Sequence, residues 1–200
     1  ILKTLRYNFI LGGWENKIGL RNPGIDYAIE TYREGEIISI AILDEKEIKP
    51  LENKIPKNMN IELNVSCPNT DKHMINKGLK IFLNCKRKWC IIKLPPINYE
   101  DDLNRYYKEG FRQFHLSNTL PIKEGGLSGP KLKPYTSKNI INIRKNYKDC
   151  TIIAGGGIRT IKDMNDYKEL GANHFSVSSI CFNPVSFIFL YMKYKSIFYD

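Results

Sequence analysis

The chain has 200 residues, 42% of them hydrophobic and 12% aromatic. That is enough for one domain with a real core, and it excludes a disordered tail or a low-complexity linker. The net charge is +10, but 23 of the 31 basic residues are Lys, scattered along the chain apart from Lys86, Arg87 and Lys88. A nucleic-acid groove concentrates Arg and aromatics on one face. The charge is therefore read as bias toward Lys, Ile, Asn and Tyr, with an anionic partner as the lesser alternative. No apolar run approaches the roughly 18 residues of a membrane span; the most apolar stretch, residues 185–192, is closed by Lys193. Residues 1–7 lack the apolar segment of a signal peptide. The chain does not begin with Met, so it is expected to be processed or incomplete at its start.

Apolar runs predict seven strands, at residues 1–4, 36–43, 61–66, 90–94, 111–118, 150–154 and 174–179. Amphipathic helices are predicted at 100–109, 136–147 and 161–170, the last stopped by Gly171. Several strands read as apolar on both faces, as in a buried parallel sheet. Alternation of strand and helix, without a linker or repeat, predicts one α/β domain over residues 1–200. Two closures fit, a doubly wound sheet or a (β/α)8 TIM barrel. Polar and glycine residues gather after five different strands: Asn64 onward, Lys93, Ser117 to Thr119, Gly155 to Gly157, and Ser178-Ser179. That spread favours the barrel, whose active site is built from many strand ends, over a single switch point. Seven strands leave the barrel one β/α unit short, and the missing first unit is expected at the N-terminus.

Five cysteines, an odd number without C-x-x-C, fit a reducing compartment rather than a disulfide framework. Cys85, Cys90, Cys150 and Cys181 are read as core thiols. His73, His115 and His174 show no convincing partner, are read as structural or exposed, and predict no metal site. Cys67 stands in N-V-S-C-P-N, after a strand and between amide side chains; the thiol could be a nucleophile, a general base or simply buried. Asn64 and Asn69 offer uncharged donors and acceptors suited to a flat, amide-rich ligand. Lys93, at the end of a strand, suits an anion or a ring carbonyl. The loops 125–134 and 155–157 can bring main-chain N–H groups close to phosphate. Together they point to a phosphate-bearing cofactor, without the G-x-G-x-x-G dinucleotide fingerprint.

Four motifs occur in the order found in dihydroorotate dehydrogenases: N-x-I-G-L-x-N-P-G from Asn16, N-V-S-C-P-N from Asn64, G-L-S-G-P from Gly126 with L-K-P from Leu132, and G-G-I from Gly156. The chain resembles that family over nearly its whole length. The resemblance implies a (β/α)8 barrel that holds FMN at its C-terminal mouth and oxidises dihydroorotate to orotate in pyrimidine biosynthesis. It implies Cys67 as catalytic base, the cysteine of the cytoplasmic class 1 enzymes. Substrate contacts would fall to Lys3, Asn16, Ile18, Gly19, Leu20, Asn64, Asn69, Asn118 and Thr119. FMN contacts would fall to Lys3, Thr4, Asn64, Lys93, Ser117, Gly129, Gly156, Gly157, Ser178 and Ser179. A homodimer and an iron–sulfur flavoprotein partner are further implications; no nucleic acid or membrane is expected as a partner. Departures are the absent first strand, Ser178-Ser179 in place of Gly-Thr, and a short segment between Asn118 and Gly126. Two alternatives remain: a dihydrouridine synthase-like FMN barrel acting on tRNA, and a degenerate barrel without flavin.

Overall fold

The structure is a computed structural model that describes residues 4–17, 19, 22–66, 77–123 and 125–198. In chain order it runs β1 (Leu5–Asn8), β2 (Gly13–Asn16), α1 (Ile25–Glu30), β3 (Ile38–Ile40), α2 (Ile48–Lys54), β4 (Ile61–Asn64) and β5 (Cys90–Lys93). It continues through α3 (Glu100–Glu109), β6 (Gln113–Leu116), β7 (Leu120–Ile122), β8 (Gly125–Ser128), α4 (Lys133–Asn146), β9 (Thr151–Gly155), α5 (Ile161–Glu169), β10 (His174–Ser176) and α6 (Pro184–Phe198).

Six strands form one parallel sheet in the order β10-β9-β6-β5-β4-β3, so neighbours in space are neighbours in the chain once the β7–β8 hairpin is set aside. Each crossover carries helical structure, as parallel pairing requires. Side chains alternate between the two faces. One face presents Ile38, Ile40, Ile61, Leu63, Ile92, Phe114, Leu116, Ile152 and Ala154 to the main core, where Leu103 and Tyr106 of α3, Ile140 and Ile143 of α4, and Met164 and Tyr167 of α5 are also buried. The opposite face is more polar than the sequence predicts. Ser39, Glu62, Asn64, Lys93 and His115 stand along it in register, beside the apolar Ile91 and Ile153.

The predicted helices at 100–109, 136–147 and 161–170 correspond to α3, α4 and α5. The start of α5 is set by a capping box: Thr160 Oγ1 accepts from Asp163 N, and the Asp163 carboxylate accepts from Thr160 N. Six of the seven predicted strands lie in the parallel sheet. Of the seventh, residues 1–3 are outside the described residues and Thr4 is a turn whose carbonyl accepts from Lys17 N at 2.8 Å. No closed barrel is formed among the described residues; β3 and β10 are the sheet edges.

A second sheet was not expected. It is antiparallel, in the order β1-β2-β8-β7. It turns the glycine-rich run at 125–128, read from sequence as loop, into a strand paired with Trp14 to Asn16. Glycine permits that approach, since a Cβ on Gly13 would stand 2.5 Å from the Ser128 carbonyl oxygen. Helix α6 is apolar nearly all round. Leu190 is buried in the core, whereas Ile188, Phe189 and Met192 are more than half exposed.

Candidate functional site

The C-terminal ends of the parallel strands open into one cleft. Lys93 comes from β5, and Ser117, Asn118 and Thr119 follow β6. Gly156 and Gly157 follow β9, Ser178 and Ser179 follow β10, and Gly129 follows β8 of the second sheet. These predicted residues are thus brought together. No carboxylate lines the cleft among the described residues; its charged or titratable members are Lys93 and His115.

The amide corner is built by hydrogen bonds. Asn118 Nδ2 donates to Asn64 Oδ1 at 3.0 Å and to the Ser66 carbonyl at 2.9 Å. Asn118 N donates to the Leu94 carbonyl at 2.9 Å, and Asn118 Oδ1 accepts from Thr119 N at 2.9 Å. Ser66 Oγ in turn donates to the Lys93 carbonyl at 3.2 Å. Asn64 and Asn118, 54 residues apart in sequence, are therefore fixed side by side. The Thr119 hydroxyl oxygen is buried at this corner and has no hydrogen-bond partner among the described residues. A buried polar atom in that state favours a ligand that can pair with it.

The opposite end is glycine-built. Gly129, Gly156 and Gly157 have φ of 130°, 90° and 78°, which an L side chain rarely adopts. The two glycine loops touch: a Cβ on Gly157 would lie 3.0 Å from the Gly129 carbonyl oxygen and 2.8 Å from Lys133 Cγ. Ser117 Oγ lies 3.0 Å from Thr136 Oγ1, which donates to the Gly155 carbonyl at 2.9 Å, so α4 is bolted to this end. Behind it, Lys133 pairs with Asp163, whose carboxylate also accepts from Arg159 N and Thr160 N at 2.8 Å. Burial alone would raise the Asp163 pKa, but these donors outweigh it and hold the group below the usual carboxylate range. A cleft of main-chain glycine, hydroxyl donors and one ammonium, without a carboxylate, fits a phosphate-bearing ligand.

Several predicted residues lie elsewhere. Cys67, Asn69, Lys3, Ile18 and Leu20 are outside the described residues, as is His73. Asn16 is on β2, where its side chain donates to the Gly126 carbonyl at 3.2 Å. Gly19 and Thr4 do not line the cleft. Two readings are corrected outright. His115 is no partnerless histidine: its Nδ1 is 2.5 Å from Glu62 Oε2, and both residues are buried. Cys85 and Cys181 are exposed rather than core thiols, whereas Cys90 and Cys150 are buried, and burial pushes their thiols up to about 12 and about 11. His174 is exposed and packs edge-on against Trp89. Glu62 escaped sequence reading altogether. The available signal was its place two residues before Asn64, which puts both on one face of the strand.

Parallel β/α units with a cleft across their C-terminal ends define the class as an α/β protein, and its likeness to solved structures makes it one of the TIM-barrel type. Crystal structures of DHODH from Eimeria tenella share this fold. The ferulenol complex superposes with a TM-score of 0.67 at 18% identity, over 88% of this chain and 64% of that one. The ligand-free form gives 0.52 at 22% identity, over 63% and 47%. The family profile described as dihydroorotate dehydrogenase matches residues 107–189. Among curated relatives, the dihydroorotate dehydrogenase B (NAD(+)) catalytic subunit of Petrotoga mobilis is 30% identical over 218 residues, covering 91% of this chain and 72% of that protein. The subunit of the same name from Thermotoga maritima is 29% identical over 194 residues, covering 84% and 72%. The chain belongs to the dihydroorotate dehydrogenase family.

Proposed function

We propose that this protein oxidises (S)-dihydroorotate to orotate in pyrimidine biosynthesis, using FMN bound in the cleft. The observation that carries the reading is the cleft itself, with an amide corner at one end and a carboxylate-free glycine end at the other. Asn64 and Asn118, with Asn69, hold the pyrimidine amides, and the Thr119 hydroxyl is available to pair with the same ligand. Lys93 and Ser117 would hold the flavin ring, and the Gly129, Gly156, Gly157, Ser178 and Ser179 end would hold its phosphate. FMN, when bound, supplies the hydride acceptor for substrate C6.

The residues do the rest. Cys67 Sγ takes the C5 proton; in the chain it follows Asn64 of the amide corner by three residues. An ordinary thiol, with a pKa of about 8.5, is a better base as pH rises. The Asn118 network orients the ring for that transfer. In the same reading, the parallel sheet is part of an eight-stranded barrel. The relatives are named catalytic subunits, which supports an electron-transfer partner subunit for this chain.

The visible spectrum of the purified chain, reconstituted with FMN, tests the reading. A flavin spectrum that bleaches on anaerobic addition of dihydroorotate is expected. Cys67→Ala should retain the flavin spectrum and slow bleaching by at least about a hundredfold. A chain that binds FMN but is not reduced by dihydroorotate would overturn the substrate assignment.

A further inference from the structure

Glu62 and His115 take no part in the chemistry proposed above, yet both are only 8% exposed and lie on the polar face of the parallel sheet. Glu62 Oε2 meets His115 Nδ1 at 2.5 Å. Glu62 Oε1 accepts from Ser39 Oγ at 2.8 Å and lies 3.3 Å from Lys93 Nζ. Four strands in a row, β3 to β6, therefore contribute to one carboxylate. Space for the imidazole comes from β9, since a Cβ on Gly155 would lie 2.9 Å from His115 Nε2. Lys93 and His115 both line the cleft, and Glu62 joins them from below.

The charge count of this group is simple. Glu62 and Lys93 cancel, so the set is neutral when His115 is neutral and carries +1 when His115 is protonated. Buried charges interact far more strongly than exposed ones. Among the described residues, the titratable groups facing His115 are Glu62 and, across its carboxylate, Lys93. From the next strand, β9, it meets Ile153 and Gly155, and α4 reaches only the nearby Ser117 through Thr136.

We propose that Glu62 and His115 are positioning residues for Lys93: Glu62 anchors its ammonium, and the proton on His115 sets how much positive charge the cleft presents to a bound flavin ring. The last step rests on the reading of the cleft as a flavin site. Protonation of His115 then favours an anionic ring, so the reduction potential of the bound flavin gains a pH dependence of its own.

Two measurements on the full 200-residue chain separate this inference from the flavin reading. The first is an NMR titration of His115 without ligand. Glu62→Gln should move the His115 ring resonances, and Lys93→Met should move them as well. No shift in either variant would overturn the coupling. The second is the potential of bound FMN between pH 5.5 and 8.5. Wild type should show an added pH dependence that His115→Asn lacks, and Glu62→Gln should weaken FMN binding about tenfold. Identical pH profiles for wild type and His115→Asn would overturn the tuning role. Wild type that shows the NMR coupling but does not bind FMN would overturn the flavin reading and, with it, the action on the ring.

Discussion

A carboxylate buried beneath a cleft is costly unless donors surround it. For Glu62, burial pushes the pKa up, but the bonds from His115 and Ser39 and the charge of Lys93 reverse the sign and hold it at about 2. The folded-state pKa is thus below the unfolded one. Its stabilising contribution is full above about pH 5 and is lost as pH falls from the unfolded value of about 4.5 toward 2. A shift of that size corresponds to something on the order of 3 kcal/mol. Denaturant unfolding should therefore show Glu62→Gln well below wild type at pH 7 and the two converging near pH 2. A gap that stays constant from pH 7 to pH 2 would count against the network. No sequence window shows this group, because His115 is 53 residues from Glu62 and neither has a partner nearby in the chain. Asn64 was easier, since it sits in a motif that points to a role without the fold, whereas Asn118 was named only by its place after a predicted strand and by the resemblance.

Among the elements, the glycine loops have a graded requirement for glycine. Gly24 has φ of 92° but open space around its missing Cβ, whereas Gly157, with φ of 78°, would drive a Cβ into Lys133, Gly129 and Pro130. Gly24→Ala should cost about 1 kcal/mol of backbone strain alone. Gly157→Ala should cost at least about 2 kcal/mol, because overpacking adds to the strain, and it should also weaken FMN binding by separating the two loops. Thermal unfolding and a flavin titration of both variants would check this ordering; equal losses would refute it. The parallel strands and the helices α3, α4 and α5 were legible because their periodicity is local, and Thr160 to Asp163 even marks where α5 starts. The β1–β2 and β7–β8 hairpins were not. Glycine-rich β8 has little strand propensity of its own. It becomes a strand because β2, some 110 residues earlier, supplies the edge.

For the whole molecule, the division between inside and outside can be read out by its thiols. Cys85 and Cys181 are exposed; Cys90 and Cys150 are buried with raised pKa values. In native buffer a thiol reagent should modify Cys85 and Cys181 within minutes and leave Cys90 and Cys150 until the chain unfolds, as mass spectrometry of the labelled peptides would report. Rapid native labelling of Cys90 or Cys150 would contradict the packing of the sheet. The α/β class follows from the strand–helix alternation. The polar second face of the sheet was less legible, since Ile91 and Ile153 mask the alternation in β5 and β9. The strand order has a consequence for synthesis. A ribosome delivers β3 to β6 in the order in which they pair, so each new strand meets a neighbour already made. The cleft is different, because Ser178 and Ser179 follow every other residue that lines it. A nascent chain can thus build most of its sheet early but cannot close its pocket around a ligand until the segment after β10 has been made.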